Sequence, residues 1–138
     1  MAKQNEAGKK AEKVVCEFFA ERKYWTFPIP KSINGQPFDI IARKDNKNYK
    51  DIWFVDAKHL ESNKASFPFD RIEPNQESSM SYAHIINGVE DNMGFVIQWE
   101  RTGNLYYFDY QDFLKMKEKG EKSVKIEDLT LLGELCKY

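Results

Sequence analysis

The chain has 138 residues, 41% hydrophobic, 14% aromatic and 31% charged, with a formal net charge of −1. That content excludes a disordered chain, and the length suits one substantial core, so residues 1–138 are expected to form a single domain. No apolar run nears the ~20 residues needed to cross a bilayer.

The charge is unevenly spread: residues 1–65 hold 13 Lys+Arg against 9 Asp+Glu, and residues 66–138 hold 8 against 13. A local phosphate-binding surface in the first half is therefore compatible with a near-neutral whole, although most such lysines are simply solvated. The start, Met1-Ala2-Lys3-Gln4-Asn5-Glu6, lacks the apolar centre of a secretion signal. Cys16 and Cys136 show no Cys-x-x-Cys spacing and read as small, buried or half-buried hydrophobes in a reducing, cytoplasmic setting.

In chain order, Ala7, Ala11, Val14, Val15, Phe18 and Phe19 recur at the spacing of one helical face and predict a helix over residues 5–22. Tyr24 to Ile29 reads as a strand ended by prolines, and Asn34-Gly35 as a hairpin turn. Phe38 to Arg43 and Ile52 to Lys58 are the next strands, separated by a polar turn. Leu60 to Glu73 reads as an unusually long loop, a length that favours function over plain connection. Pro74 opens a helix to about Asn87, with Gly88 as terminator. Gly94–Trp99 and Leu105–Phe108 form a hairpin, a short helix runs from Asp109 or Asp112 to Lys119, and Ile126–Leu132 supplies a last helical turn. The order α-β-β-β-α-β-β-α predicts an α/β fold, a mixed sheet flanked by helices.

The chemistry concentrates in two of these strands. Side chains alternate along a strand, so Asp56 and Lys58 project together, roughly 6–7 Å apart, while Val55 and Ala57 face the other layer. Asp39 lies in the neighbouring strand. Opposite charges in a strand built for burial are costly unless they pair or bind something. Carboxylates suit a hard dication such as Mg²⁺ or Mn²⁺, and a lysine can orient or help deprotonate an attacking water. The plainer alternatives are an aspartate that caps a turn or pairs with Arg43, and a lysine that only offsets buried charge. Glu12, on the first helix, borders the apolar stripe about 20° from Phe19 by helical periodicity and can look toward the sheet or into solvent. Gln76 shares a helical face with Met80 and Ala83 and can contact a phosphate or a site water, or simply cap its helix. Lys64, Ser66 and Arg71 in the long loop are DNA-phosphate candidates. His59 and His84 have no zinc or nuclease spacing and read as structural or peripheral. Trp25, Trp53 and Trp99 read as core.

Asp39 followed by Asp56-x-Lys58, after a leading helix, resembles the PD-(D/E)xK nuclease superfamily, with Pro37-Phe38-Asp39 at the first half-motif. Further matches narrow the resemblance to the RecU family of Holliday-junction resolvases. These are the string Asp56-Ala57-Lys58-His59-Leu60-Glu61-Ser62-Asn63-Lys64-Ala65-Ser66-Phe67-Pro68, then Gln76 with Gly94-Phe95-Val96-Ile97, and Gly8-Lys9-Lys10-Ala11-Glu12. Gly120-x-Lys122-Ser123-Val124 also looks similar. The resemblance implies a restriction-endonuclease-like fold and a Mg²⁺- or Mn²⁺-dependent endodeoxyribonuclease that cuts branched DNA, the four-way junction above all, as a homodimer. It implies Asp39, Asp56, Glu12 and the Ala57 carbonyl as metal ligands, with Lys58 and Gln76 completing the catalytic set. One feature departs from the family: where members carry an extended stalk before the first aspartate, Phe27 to Gln36 offers only a compact turn. The alternatives are a related nuclease acting on flaps or duplex DNA, and a DNA-binding module without catalysis.

Overall fold

A computed structural model describes residues 2–29, 38–45, 50–87 and 92–136. The expected Asn34-Gly35 turn, Pro37 and the Gly88 terminator lie outside these. Helix α1 (Ala2–Glu21) is followed by strands β1 (Trp25–Pro28), β2 (Ile40–Asp45), β3 (Lys50–Leu60) and the short β4 (Ser66–Pro68). A 3₁₀ turn at Phe69–Arg71 leads to α2 (Pro74–Asn87), β5 (Met93–Trp99), β6 (Leu105–Asp109) and α3 (Tyr110–Glu118). The chain then forms β7 (Ser123–Lys125), a 3₁₀ turn at Ile126–Asp128, β8 (Thr130–Leu131) and α4 (Leu132–Leu135).

Six strands make one mixed sheet in the order β1-β2-β3-β5-β6-β8, and β4 pairs with β7 in a separate ribbon. Only β3 and β5 run parallel, joined by the crossover that contains α2; the other pairs are antiparallel. The fold is thus mixed α/β, with a mostly antiparallel sheet flanked by helices. The sequence reading missed β4, β7, β8 and α4. What reads as a structureless loop from Leu60 to Glu73 carries a strand and a 3₁₀ turn, and the expected helical turn at Ile126–Leu132 is a 3₁₀ turn and a strand before α4.

Each sheet face carries its own core. On one face, Ala11, Val15 and Phe19 of α1 bury Ile40, Ala42, Trp53, Val55, Ala57 and Val96. On the other, Met80 and Ala83 of α2 and Phe113 of α3 pack with Leu60, Phe67, Phe95, Ile97, Trp99 and Phe108. The period-2 pattern of β3 sorts its residues between the two: Val55 and Ala57 go to α1, and Leu60 and the partly buried Phe54 to α2.

Helix α1 ends in a Schellman turn. The Lys23 amide donates to Ala20 O at 3.0 Å and the Tyr24 amide to Phe19 O at 3.0 Å. The Phe19 and Tyr24 rings meet edge to face at 5.1 Å, the apolar contact that accompanies this motif. Lys23 takes the left-handed position, φ +68°, that glycine normally fills.

Gly94 lies where β5 passes β6 most closely. A Cβ there would collide with the Phe108 carbonyl oxygen and lie 3.0 Å from both Asp109 Cα and Tyr110 N, all backbone atoms. Gly94→Ala is therefore expected to destabilise the protein by about 2 kcal/mol; an unchanged calorimetric melting temperature would contradict that.

Candidate functional site

Asp39, Asp56, Lys58 and Gln76 meet on the α2 face of the sheet. Asp39 immediately precedes β2, and β2 pairs with β3 in a register that sets Ile40 against Val55. The β2 ladder stops there, and the Asp39 side chain continues it: Ala57 N donates to Asp39 Oδ2 at 3.1 Å. The backbone of Asp39 is fixed as well, its amide donating to Val55 O at 2.9 Å and its carbonyl accepting from Ile29 N at 2.7 Å. Arg43, considered above as a partner for Asp39, pairs instead with Asp45 at 3.0 Å.

Asp56 is 1% exposed, the single buried charged residue among those described. Lys58 Nζ stands 3.0 Å from Asp56 Oδ2, so the two project to one side as the alternation requires. Yet neither Asp56 oxygen has a donor aligned for a hydrogen bond. Burial, and the Asp39 carboxyl within hydrogen-bonding reach, hold the Asp56 carboxyl well above the usual carboxylate range, while the Lys58 ammonium pulls the other way. The Asp56 carboxyl therefore keeps its proton to higher pH in the folded protein than in the unfolded chain.

The sign follows directly. A folded state that holds this proton more tightly than the unfolded chain loses stability as pH rises from the unfolded aspartate value of about 3.9 through the raised folded value. In EDTA, the melting temperature of the wild type relative to Asp56→Asn is expected to fall across that window. A difference independent of pH would refute it.

Gln76 closes the site from α2. Its Oε1 accepts from Lys58 Nζ at 2.8 Å and also from the Glu73 amide at 3.3 Å, the reach-back of a third-position residue to the helix N-cap. The capping contact expected as the plainer alternative is present, and the same atom also binds Lys58.

Glu12 is half-buried on α1, which packs on the opposite sheet face. The Cys16 thiol, one turn further along α1, is pushed up by burial and then by the Glu12 and Asp39 carboxylates. No group of three His, Cys, Asp or Glu side chains that could hold a metal ion occurs among the described residues, which leaves the Asp39–Asp56 pair. The Cys136 thiol is buried and pushed up to about 12, chiefly by desolvation, and both cysteines are free.

The loop residues divide. Lys64 is exposed and Ser66 is half-buried on β4. Arg71 is committed to the loop's own architecture: its guanidinium donates to His59 O at 2.9 Å and grips the Glu61 carboxylate at 2.5 to 2.8 Å. His59 faces the Glu100 carboxylate at 3.1 Å, and His84 contacts the Gln111 amide. Trp53 and Trp99 are core, as read from the sequence, but Trp25 is 73% exposed. That expectation is corrected because β1 is an edge strand and its outward residues have no layer over them.

The carboxylate pair fits a hard dication. Mg²⁺ commonly binds through one or two carboxylates, with water and substrate phosphate completing its shell. Asp56 supplies two buried oxygens without an aligned donor, and Asp39 supplies a second carboxylate beside them. No protein-family model matches the chain, and no curated protein matches it significantly.

Proposed function

We propose that the protein is a divalent-metal-dependent endodeoxyribonuclease that hydrolyses phosphodiester bonds in branched DNA, with a restriction-endonuclease-like fold and a RecU-like junction-resolving activity. The observation that carries the reading is the fully buried Asp56 carboxylate, without an aligned hydrogen-bond donor, between Asp39 and Lys58. A protein that needed only packing at this position would be better served by an apolar side chain, because burying a charge costs several kcal/mol.

In this reading Asp39, Asp56 and the Ala57 carbonyl hold Mg²⁺ or Mn²⁺, with Glu12 acting on the ion through water. The ion supplies neutralisation of the phosphate's charge. Lys58 orients the attacking water and stabilises negative charge as the phosphorus becomes five-coordinate. Gln76 fixes the Lys58 ammonium through its 2.8 Å bond, so the amine is aimed before substrate arrives. Lys64 and Ser66 contact flanking phosphates; Arg71, already bound to Glu61 and His59, acts by holding that loop in place. Paired cuts across a symmetric junction require two such sites, hence a homodimer.

The test is cleavage of a four-way junction, a flap and a linear duplex by purified protein with Mg²⁺ or Mn²⁺. Symmetric nicks confined to the junction support the full proposal. Cutting of flap or duplex leaves a nuclease of another specificity, and binding without cutting ends the catalytic reading.

A further inference from the structure

Trp25 and Phe27 stand on the same side of edge strand β1, 73% and 50% exposed, with their rings stacked 6.4 Å apart at 26°. They line an open groove of about 410 Å³ together with Lys23, Arg43, Lys44 and Asp45. Lys23 and Arg43 outnumber Asp45, which is paired with Arg43 at 3.0 Å, while the Lys44 side chain turns to the other sheet face, its ammonium 5.4 Å from the Tyr24 ring centroid. The register places the groove relative to the carboxylates. Phe27 lies beside Ile41, which lies beside Phe54; Trp25 lies beside Arg43, which lies beside Ile52. Phe54 and Asp56 are two apart on β3, so these aromatic rings occupy the same sheet face as Asp56 and Lys58. Strand spacing puts Phe27 about 12 Å from Asp56.

We infer that this groove binds an unpaired DNA strand, its bases stacking on Trp25 and Phe27 and its phosphates meeting Lys23 and Arg43, a few nucleotides from the bond to be cut. Flat aromatic faces stack on any base, and flanking cations follow the backbone. The backbone at Lys23 gives an independent argument. Lysine occupies a left-handed position where glycine is the less strained choice, and strain of this kind concentrates where a side chain has a use. A second copy of the chain is a poorer occupant, because a two-fold contact would add the same net positive charge across itself. The inference deepens the nuclease reading and rests on it for the direction of the strand, not for binding.

The test is fluorescence anisotropy in EDTA with labelled oligo(dT), oligo(U) and a DNA duplex. Trp25→Ala/Phe27→Ala is expected to weaken oligo(dT) binding at least about tenfold with an unchanged melting temperature. Lys23→Gly is expected to weaken it severalfold while raising the melting temperature, a combination that a purely structural lysine would not give. Wild-type affinity in the double variant, tighter binding of oligo(U) than of oligo(dT), or light scattering that shows a dimer dissociated by the double substitution would each overturn the assignment. The two readings fail separately: oligo(dT) binding through Trp25 by a protein that cuts nothing removes the nuclease and keeps the groove. Cleavage with unaltered affinity in the double variant does the reverse.

Discussion

Asp56→Asn is expected to lower Mg²⁺-dependent DNA cleavage by about a thousandfold or more, the scale set by removing one preorganised electrostatic contact from a transition state. The same change should leave the metal-free protein at least as stable as the wild type. It removes a buried carboxylate whose charged form burial disfavours, and supplies an amide that can donate to Asp39. Lys58 keeps its bond to Gln76. The two proteins should differ again when Mg²⁺ is added: the wild type gains melting temperature in proportion to the occupancy of its site, and the variant does not. Cleavage rates and thermal melts with and without Mg²⁺ measure both. Full activity in the variant would take Asp56 out of the chemistry.

Lys58→Ala should be the more damaging change to the fold. It strips the counter-charge from a carboxylate that is 1% exposed, and breaking such a pair typically costs 3–5 kcal/mol, so a loss of about 3 kcal/mol is expected in EDTA. Asp56→Asn/Lys58→Ala should recover most of it, because the stranded charge is gone; urea melts of the four proteins give the coupling directly. Mg²⁺ separates structure from catalysis here. Added ion should restore stability to Lys58→Ala by taking over the lost charge, yet cleavage should stay at least about a hundredfold down. Recovery of cleavage together with stability would mean that the lysine is only a counter-ion.

Much of this was legible in the residues, for identifiable reasons. The α1 stripe from Ala11 to Phe19 and the alternation Val55-Asp56-Ala57-Lys58 are long enough to set a period, and a period fixes which side chains share a face. Asp56 and Lys58 meet as that rule requires. The short strands carry no such signal: Ser66-Phe67-Pro68 and Ser123-Val124-Lys125 bury one residue each, so their pairing is visible only in three dimensions. Trp25 and Phe27 show a complementary limit. Their spacing places them on one face, but whether that face is covered depends on β1 ending the sheet, which no local pattern records. Gln76 was legible as a residue and not as a geometry, because its reach to Lys58 depends on how the α2 crossover returns to the sheet. Arg71 read as a cation open to DNA because its partners, Glu61 and the His59 carbonyl, lie ten and twelve residues back in the chain.

The parallel seam between β3 and β5 has a further consequence. Asp56 sits opposite Phe95, and Lys58 opposite Ile97. Slipping this seam by a single position would turn the acid and the amine toward α1 and send Val55 and Ala57 to the other side. A single-position slip therefore cannot keep a sound interior and lose only its chemistry, so misassembly of that kind should yield unstable molecules rather than well-folded but inert ones.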